Sequence, residues 1–83
     1  MASVYILQGT TGRYYIGCTE DIEKRVTRHN SGMVHSTKRI GLPVSLIAYC
    51  NVEDMAKART LEAKLKSWKN SKKALQCIRS FNP

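Results

Sequence analysis

Two β-type runs near the start of the chain constrain the fold most. They are residues 3–7 (SVYIL) and residues 14–17 (YYIG), and both are rich in β-branched and aromatic side chains. The segment between them contains Gly9 and Gly12, whose backbones tolerate the conformations of a tight loop. The sequence therefore predicts a β-hairpin at this position.

The hairpin also predicts where two tyrosines lie. If Gly9 and Gly12 face each other near the turn, Tyr5 pairs with Tyr15 and both phenols lie on one face of the sheet. Such a pair is either part of a functional site or an ordinary aromatic contact between strands. The hairpin alone leaves both interpretations open.

After residue 17 the spacing of apolar residues becomes helical. Thr19 precedes two acidic residues and is the predicted N-cap of a helix over about residues 20–30. Arg25 and His29 are four residues apart, so they share a face of this helix. The segment 31–43 is predicted to be a loop.

A third strand and a long helix follow. Residues 44–50 are almost continuously apolar, which predicts a central or doubly covered strand. Asn51 or Asp54 is the predicted cap of a helix over about residues 54–69.

Glu62 lies at the edge of the apolar stripe of this helix, where a carboxylate is costly unless it is paired or binds a metal. An ion pair with the lysine four residues later, Lys66, is the alternative to a functional role.

A short helix over residues 71–78, capped by Ser71, is predicted to end the fold, with a frayed tail from residue 79. The predicted order is strand, strand, helix, strand, helix, helix. With 83 residues and no linker-like segment, residues 1–83 are expected to form one domain.

The charge of the chain favours a polyanionic partner. Lysine and arginine total 14 against 6 acidic residues, a net charge of +8 that is spread along the sequence. Three cysteines without metal-binding spacing, no secretion signal and no long apolar run predict a reduced, cytoplasmic protein without a membrane segment. Nucleic acid is therefore the expected partner.

These residues together resemble the GIY-YIG endonuclease superfamily. Residues 15–17 (YIG) match the second half of the family motif, and residues 3–5 (SVY) replace the first half while keeping its tyrosine. Arg25 and His29 match an arginine and a histidine that the family carries on its first helix, and Glu62 matches its metal-binding glutamate. The resemblance extends from Ser3 to about Ile78, and it implies an α+β fold with a three-stranded antiparallel sheet flanked by three helices.

The resemblance also implies a mechanism. It makes this chain an endonuclease that uses Mg²⁺ or Mn²⁺ to hydrolyse DNA, with structured or damaged DNA in repair or recombination as the expected substrate rather than a small molecule. The implied catalytic roles are the general base for Tyr5, orientation of water or phosphate for Tyr15, charge stabilisation for Arg25, proton transfer for His29, and metal binding for Glu62.

Five further residues are expected to contact the nucleic acid, namely Gly17, Lys38, Arg39, Lys66 and Lys69. The chain looks most like the small stand-alone bacterial members of the family, which lack an appended DNA-binding domain. This resemblance implies that substrate affinity comes from the domain itself or from a protein partner that targets it. Two alternatives to a nuclease remain at this point. One is a nucleic-acid-binding module of the same fold without cleavage, and the other is an RNA-associated protein unrelated to nucleases.

Overall fold

A computed structural model describes residues 1–81. The predicted order of strands and helices is confirmed, with one additional short helix in the segment 31–43. The elements are β1 (Ala2–Gln8), β2 (Tyr14–Thr19), α1 (Ile22–Asn30), α2 (His35–Lys38), β3 (Ser45–Val52), α3 (Met55–Ser67) and α4 (Ser71–Ser80).

The three strands form one antiparallel sheet in the order β2-β1-β3. The central strand is β1, so the prediction that the third strand is central was wrong. β1 buries the side chains on both of its faces, whereas β3 leaves Leu46 and Tyr49 36% and 42% exposed. An apolar run therefore occurs here on an edge strand, which shows that an apolar composition alone does not place a strand in the middle of a sheet.

The register of the hairpin differs from the prediction by two residues. Tyr5 pairs with Gly17 rather than with Tyr15, and Tyr15 pairs with Leu7. The turn closes where the Gly12 N–H donates to the Gly9 carbonyl, with Gly12 at φ 86°. Because directly paired residues and those two positions away share a face, the two phenols still lie on the same side of the sheet, as diagonal neighbours.

Each face of the sheet has its own apolar cluster. Val4 and Ile6 of β1 pack with residues of α3 and α4, including Leu65 and Ile78. The alternate β1 residues Tyr5 and Leu7 pack on the opposite face, where the cluster also contains Ile40, Val44, Val26 and Tyr15. The edge strand β2 contributes to both clusters, with Tyr14, Ile16 and Cys18 in the first and Tyr15 in the second.

The helix caps differ from the prediction at two of three positions. The side chains of Asp21, Asp54 and Asn70 each accept the backbone N–H three residues later and so cap α1, α3 and α4. Asp54 was one of the two predicted caps for α3. Thr19 is not the cap of α1, because its hydroxyl accepts the Asp21 N–H in the preceding turn. Ser71 is already helical and does not cap α4.

The end of α4 also differs from the prediction. The helix continues through Ser80, so residues 79 and 80 are not frayed. Phe81 follows as the C-cap of this helix, and the last two residues of the predicted tail, Asn82 and Pro83, lie outside the described residues. None of the helices between residues 1 and 81 combines the length and the hydropathy needed to span a bilayer.

Candidate active site

Tyr5 lies at the base of the candidate site. It projects from the central strand and is 1% exposed, and its hydroxyl oxygen lies 3.0 Å from Nε2 of His29. The His29 ring also makes an edge contact with the ring of Tyr15, with centroids 5.0 Å apart. The structure thus brings together three of the residues predicted from the sequence.

Gly17 makes this arrangement possible. A Cβ atom at this position would lie 2.6 Å from Cζ of Tyr5 and 3.1 Å from Cε1 of Tyr15, which is closer than van der Waals contact allows. The absence of a side chain therefore gives room to the phenol of Tyr5. Gly17 does not end its strand, since β2 continues to Thr19.

Replacement of Gly17 by alanine is expected to displace the Tyr5 hydroxyl from His29. We expect a loss of about 1–3 kcal/mol in the free energy of unfolding, because an added methyl group overpacks the site. Urea unfolding measures the stability, and the aromatic NMR resonances of Tyr5 report its displacement. Gly12→Ala is the control, because its φ of 86° strains a side chain but nothing lies within 4 Å of the added Cβ. Tyr5 resonances that shift no more than in this control would contradict the interpretation.

His29 is neutral in the folded protein near neutral pH. The side chain is completely buried in the last turn of α1. Burial, followed by the nearby guanidinium groups of Arg25 and Arg28, lowers the pKa of His29 below its ordinary value. A neutral imidazole has one nitrogen with a free lone pair, so His29 can accept a proton.

This lowered pKa predicts that the protein loses stability as the pH falls below about 6.5. In that range the unfolded chain binds a proton at His29 more readily than the native state does, so the free energy of unfolding decreases. Urea unfolding from about pH 8 to about pH 5 measures the effect. The slope of the free energy of unfolding against pH is expected to be smaller in His29→Gln than in wild type. His35→Gln, which removes an exposed imidazole, is the control variant. Equal slopes in wild type and His29→Gln would contradict it.

Tyr5 has a strongly perturbed phenol. Its pKa is raised well above the ordinary value of 10, first by burial and then by the neighbouring Tyr15, while Arg25 acts in the opposite direction. A mechanism in which Arg25 alone lowers this pKa is therefore not supported by the free protein, because burial outweighs the effect of its guanidinium. Free phenolate is not accessible at neutral pH, so proton removal from this hydroxyl needs an acceptor in contact with it.

Glu62 approaches the same site from α3. Its side chain is 19% exposed, and Oε2 lies 3.8 Å from Nζ of Lys66, so the ion pair that the sequence offers beside a functional role is present. The thiol of Cys18 donates a weak hydrogen bond to Oε1 over 3.7 Å. Burial and the Glu62 carboxylate raise the pKa of Cys18, which keeps the thiol protonated as a donor.

A divalent ion has one evident protein ligand here. No cluster of three or more histidine, cysteine or acidic side chains within residues 1–81 is arranged to hold a metal. The half-buried Glu62 carboxylate suits one coordination position of Mg²⁺, which often takes one or two carboxylates and completes its shell with water and phosphate oxygens. The donor set fits an ion that is bound together with the substrate.

The predicted cationic contacts fall into two groups. Lys66 and Lys69 line a groove with Tyr14 and Tyr15 beside the candidate site. Lys38 and Arg39 are exposed at the end of α2. Lys66 also lies 5.8 Å from the centre of the Tyr15 ring, so this lysine connects the groove to the aromatic cluster.

Two residues that contact the site are not among the predicted site residues. Cys18 contacts Glu62, and its position next to Gly17 on the opposite face of the strand could have indicated a contact with the helix that packs there. Thr37 contacts Nδ1 of His29 over 3.1 Å. No pattern in the sequence signals this second contact, because it depends on the path of the segment between α1 and β3.

Comparisons with known proteins give a consistent result. The family model for the GIY-YIG catalytic domain matches residues 1–75. The UPF0213 protein of Streptococcus pneumoniae is 39% identical over 72 residues, which are 87% of this chain and 73% of that protein. UPF0213 proteins of Staphylococcus saprophyticus and Yersinia enterocolitica are 31% and 30% identical over 70 residues, or 84% of this chain and 85% and 72% of those proteins. No solved structure matches the chain significantly.

Proposed function

Because this chain belongs to the GIY-YIG family, we propose that it is a divalent-metal-dependent endonuclease that hydrolyses phosphodiester bonds in DNA. The observation that carries the proposal is the contact between the Tyr5 hydroxyl and His29, with Glu62 close enough to influence the Tyr5 phenol. This arrangement joins a proton acceptor, a hydroxyl and a carboxylate in one place, as metal-assisted hydrolysis of a phosphodiester requires.

The proton of the attacking water passes to Tyr5 in this proposal. As the phenol oxygen takes a proton from water, its own hydrogen moves to Nε2 of His29, so the phenol stays neutral and His29 becomes imidazolium. The hydroxide equivalent attacks phosphorus, the bond to the leaving oxygen breaks, and this oxygen takes up a proton from solvent water. The imidazolium of His29 then releases its proton to solvent, which restores the neutral acceptor. The raised pKa of Tyr5 disfavours a free phenolate, whereas the lowered pKa of His29 keeps the acceptor neutral before the reaction.

The other side chains act on the phosphate. Arg25 is half-buried on α1 close enough to Tyr5 and His29 to influence both, and its guanidinium is a suitable donor to the phosphate oxygens as negative charge develops on them. Tyr15 is more exposed than Tyr5 and borders the cationic groove, so it orients water or phosphate. Glu62 holds Mg²⁺ or Mn²⁺, and the bound ion supplies charge neutralisation and Lewis acidity.

Four basic side chains contact the DNA phosphates and so position the strand without reading its sequence. They are Lys66, Lys69, Lys38 and Arg39. Gly17 contributes indirectly, by giving room to Tyr5. Structured or damaged DNA in repair or recombination is the proposed substrate, and the cytoplasm is the proposed location. A protein partner that targets the domain to such DNA is part of the same proposal.

Lys69 offers a test in which stability and binding change in opposite directions. Its φ of 50° lies in the left-handed region, which glycine adopts without strain. Lys69→Gly is therefore expected to stabilise the fold by about 1 kcal/mol, less the entropy that glycine adds to the unfolded chain. The same change removes a phosphate contact, so DNA affinity falls and its salt dependence decreases by about one unit of log–log slope.

The control for this prediction is Lys69→Ala, which removes the charge and keeps the strained backbone. It should weaken DNA binding as much as Lys69→Gly without raising the melting temperature. DNA affinity unchanged in both variants would exclude Lys69 from the nucleic-acid interface.

The experiment that tests the function is incubation of the protein with labelled branched, nicked, linear duplex and single-stranded DNA, and with RNA of matched length. Each substrate is assayed at low salt with Mg²⁺, with Mn²⁺ and with a chelator. Cutting of DNA that requires a metal is the expected result, and the preferred substrate identifies the DNA structure. Retarded mobility of DNA without cutting of any substrate would instead indicate a binding module of the same fold.

A further inference from the structure

Thr37 lies on α2 and contacts the side of His29 that faces away from Tyr5. It is completely buried, and its Oγ1 is 3.1 Å from Nδ1 of His29 and 3.1 Å from the carbonyl oxygen of Val34. A threonine hydroxyl has a single hydrogen, so it donates to only one of these two neighbours. The choice determines which nitrogen of His29 carries the imidazole hydrogen.

The two arrangements differ in how well they satisfy buried donors. If Thr37 donates to the Val34 carbonyl, it accepts from Nδ1–H, and Nε2 accepts from the Tyr5 hydroxyl. Every donor in this chain of side chains then has an acceptor.

If Thr37 instead donates to Nδ1, then Nε2–H donates to the Tyr5 oxygen. The hydrogen of Tyr5 is then left without an acceptor, since within residues 1–81 the phenol oxygen hydrogen-bonds to His29 alone. A buried donor without a partner is costly, which favours the first arrangement.

We infer that Thr37 is a positioning residue that holds His29 in the Nδ1–H tautomer, so that the lone pair of Nε2 faces the Tyr5 hydroxyl and receives its proton. The catalytic meaning of this inference rests on the proposed nuclease function. The tautomer itself is a property of the folded protein and is measured without substrate.

Hydrogen bonds connect the segment that carries Thr37 to the hairpin that carries Tyr5. The Thr11 hydroxyl donates to the Ile40 carbonyl over 2.7 Å, and the Thr11 N–H donates to the same oxygen over 3.1 Å. The Ile40 N–H in turn donates to the Thr37 carbonyl over 3.2 Å. Thr37 and Tyr5 are thus held on opposite sides of His29 by one connected set of hydrogen bonds.

The first test is the ¹⁵N NMR spectrum of the imidazoles in uniformly labelled protein, where a nitrogen that carries hydrogen is distinguished from one with a lone pair. The chain has two histidines, so His35→Gln assigns the signals of His29. Wild type and Thr37→Ser are expected to carry the hydrogen on Nδ1, and Thr37→Val is expected to lose this preference. Wild-type protein with the hydrogen on Nε2 overturns the inference, whether or not it cuts DNA and whether or not Thr37→Val folds.

The second test is steady-state cleavage of DNA by the same variants near pH 8, where His29 is neutral. Thr37→Val is expected to lower kcat by about 10- to 100-fold with little change in KM, and Thr37→Ser to recover most of the loss. An unchanged kcat in Thr37→Val, or equal losses in both variants, overturns the inference. Wild-type protein that cuts no DNA would refute the proposed function instead, while the tautomer found by NMR would still decide the arrangement at His29.

Discussion

Glu62→Gln is expected to abolish metal-dependent cleavage while leaving the fold and DNA binding intact. The variant keeps the shape of the side chain but removes the negative charge that attracts the metal ion. Loss of about 4 kcal/mol of transition-state stabilisation corresponds to a decrease of roughly a thousandfold in kcat. Single-turnover cleavage with saturating protein measures it, and the expected change in melting temperature is small because the ion pair with Lys66 is partly exposed.

The chain provides a matched control for this variant. Glu53 forms the same kind of ion pair with the residue four positions later, Lys57, but its side chain is 73% exposed. Glu53→Gln therefore makes the same change in net charge away from the candidate site, and we expect its cleavage rate to equal that of wild type. Equal losses in both variants would mean that net charge, rather than a metal ligand, determines the rate.

Tyr5→Phe is expected to have the second large effect. It removes the hydroxyl that links the attacking water to His29 and keeps the aromatic ring in the core. General base catalysis contributes about 100- to 10,000-fold, so kcat should fall by that range. The cost in stability should be about 1 kcal/mol, since one buried hydrogen bond to His29 is lost. Single-turnover rates and urea unfolding separate the two effects.

Tyr49→Phe is the control for this substitution. Tyr49 is the partner of Tyr5 on the neighbouring strand and is 42% exposed. Its replacement should leave kcat within about twofold of wild type. Full activity of Tyr5→Phe would assign the role of general base to another group and would remove the basis for a proton relay through His29.

The sequence predicts most of the fold because its local signals agree with the tertiary structure. The hairpin, the order of the elements and the cap at Asp54 follow from turn residues and polar residues at helix starts. The register of the hairpin cannot be predicted from these local signals, because it depends on the hydrogen bonds of the loop to Ile40 and Gly41. The edge position of β3 cannot be predicted from the sequence either. β1 and β3 have similar apolar composition, so composition does not show which of them is the central strand.

For the candidate site, the sequence predicts residues, and the structure shows which of them lie together. The sequence motif identifies Tyr5, Tyr15, His29 and Glu62, and the family to which it points is confirmed. Their roles stay predictions until variants are assayed. The state of Tyr5 could not be predicted, because its pKa depends on burial that only the folded chain produces. The contact of Thr37 with His29 likewise depends on a short helix that the sequence pattern did not indicate.

The most direct test of this account is single-turnover cleavage of labelled DNA by wild type, Tyr5→Phe and Glu62→Gln, with DNA binding measured in the same samples. The account predicts that all three proteins bind DNA and that only the wild type cuts it at an appreciable rate when a divalent ion is present. Wild type that binds without cutting with either Mg²⁺ or Mn²⁺, or three proteins that cut equally well, would contradict it.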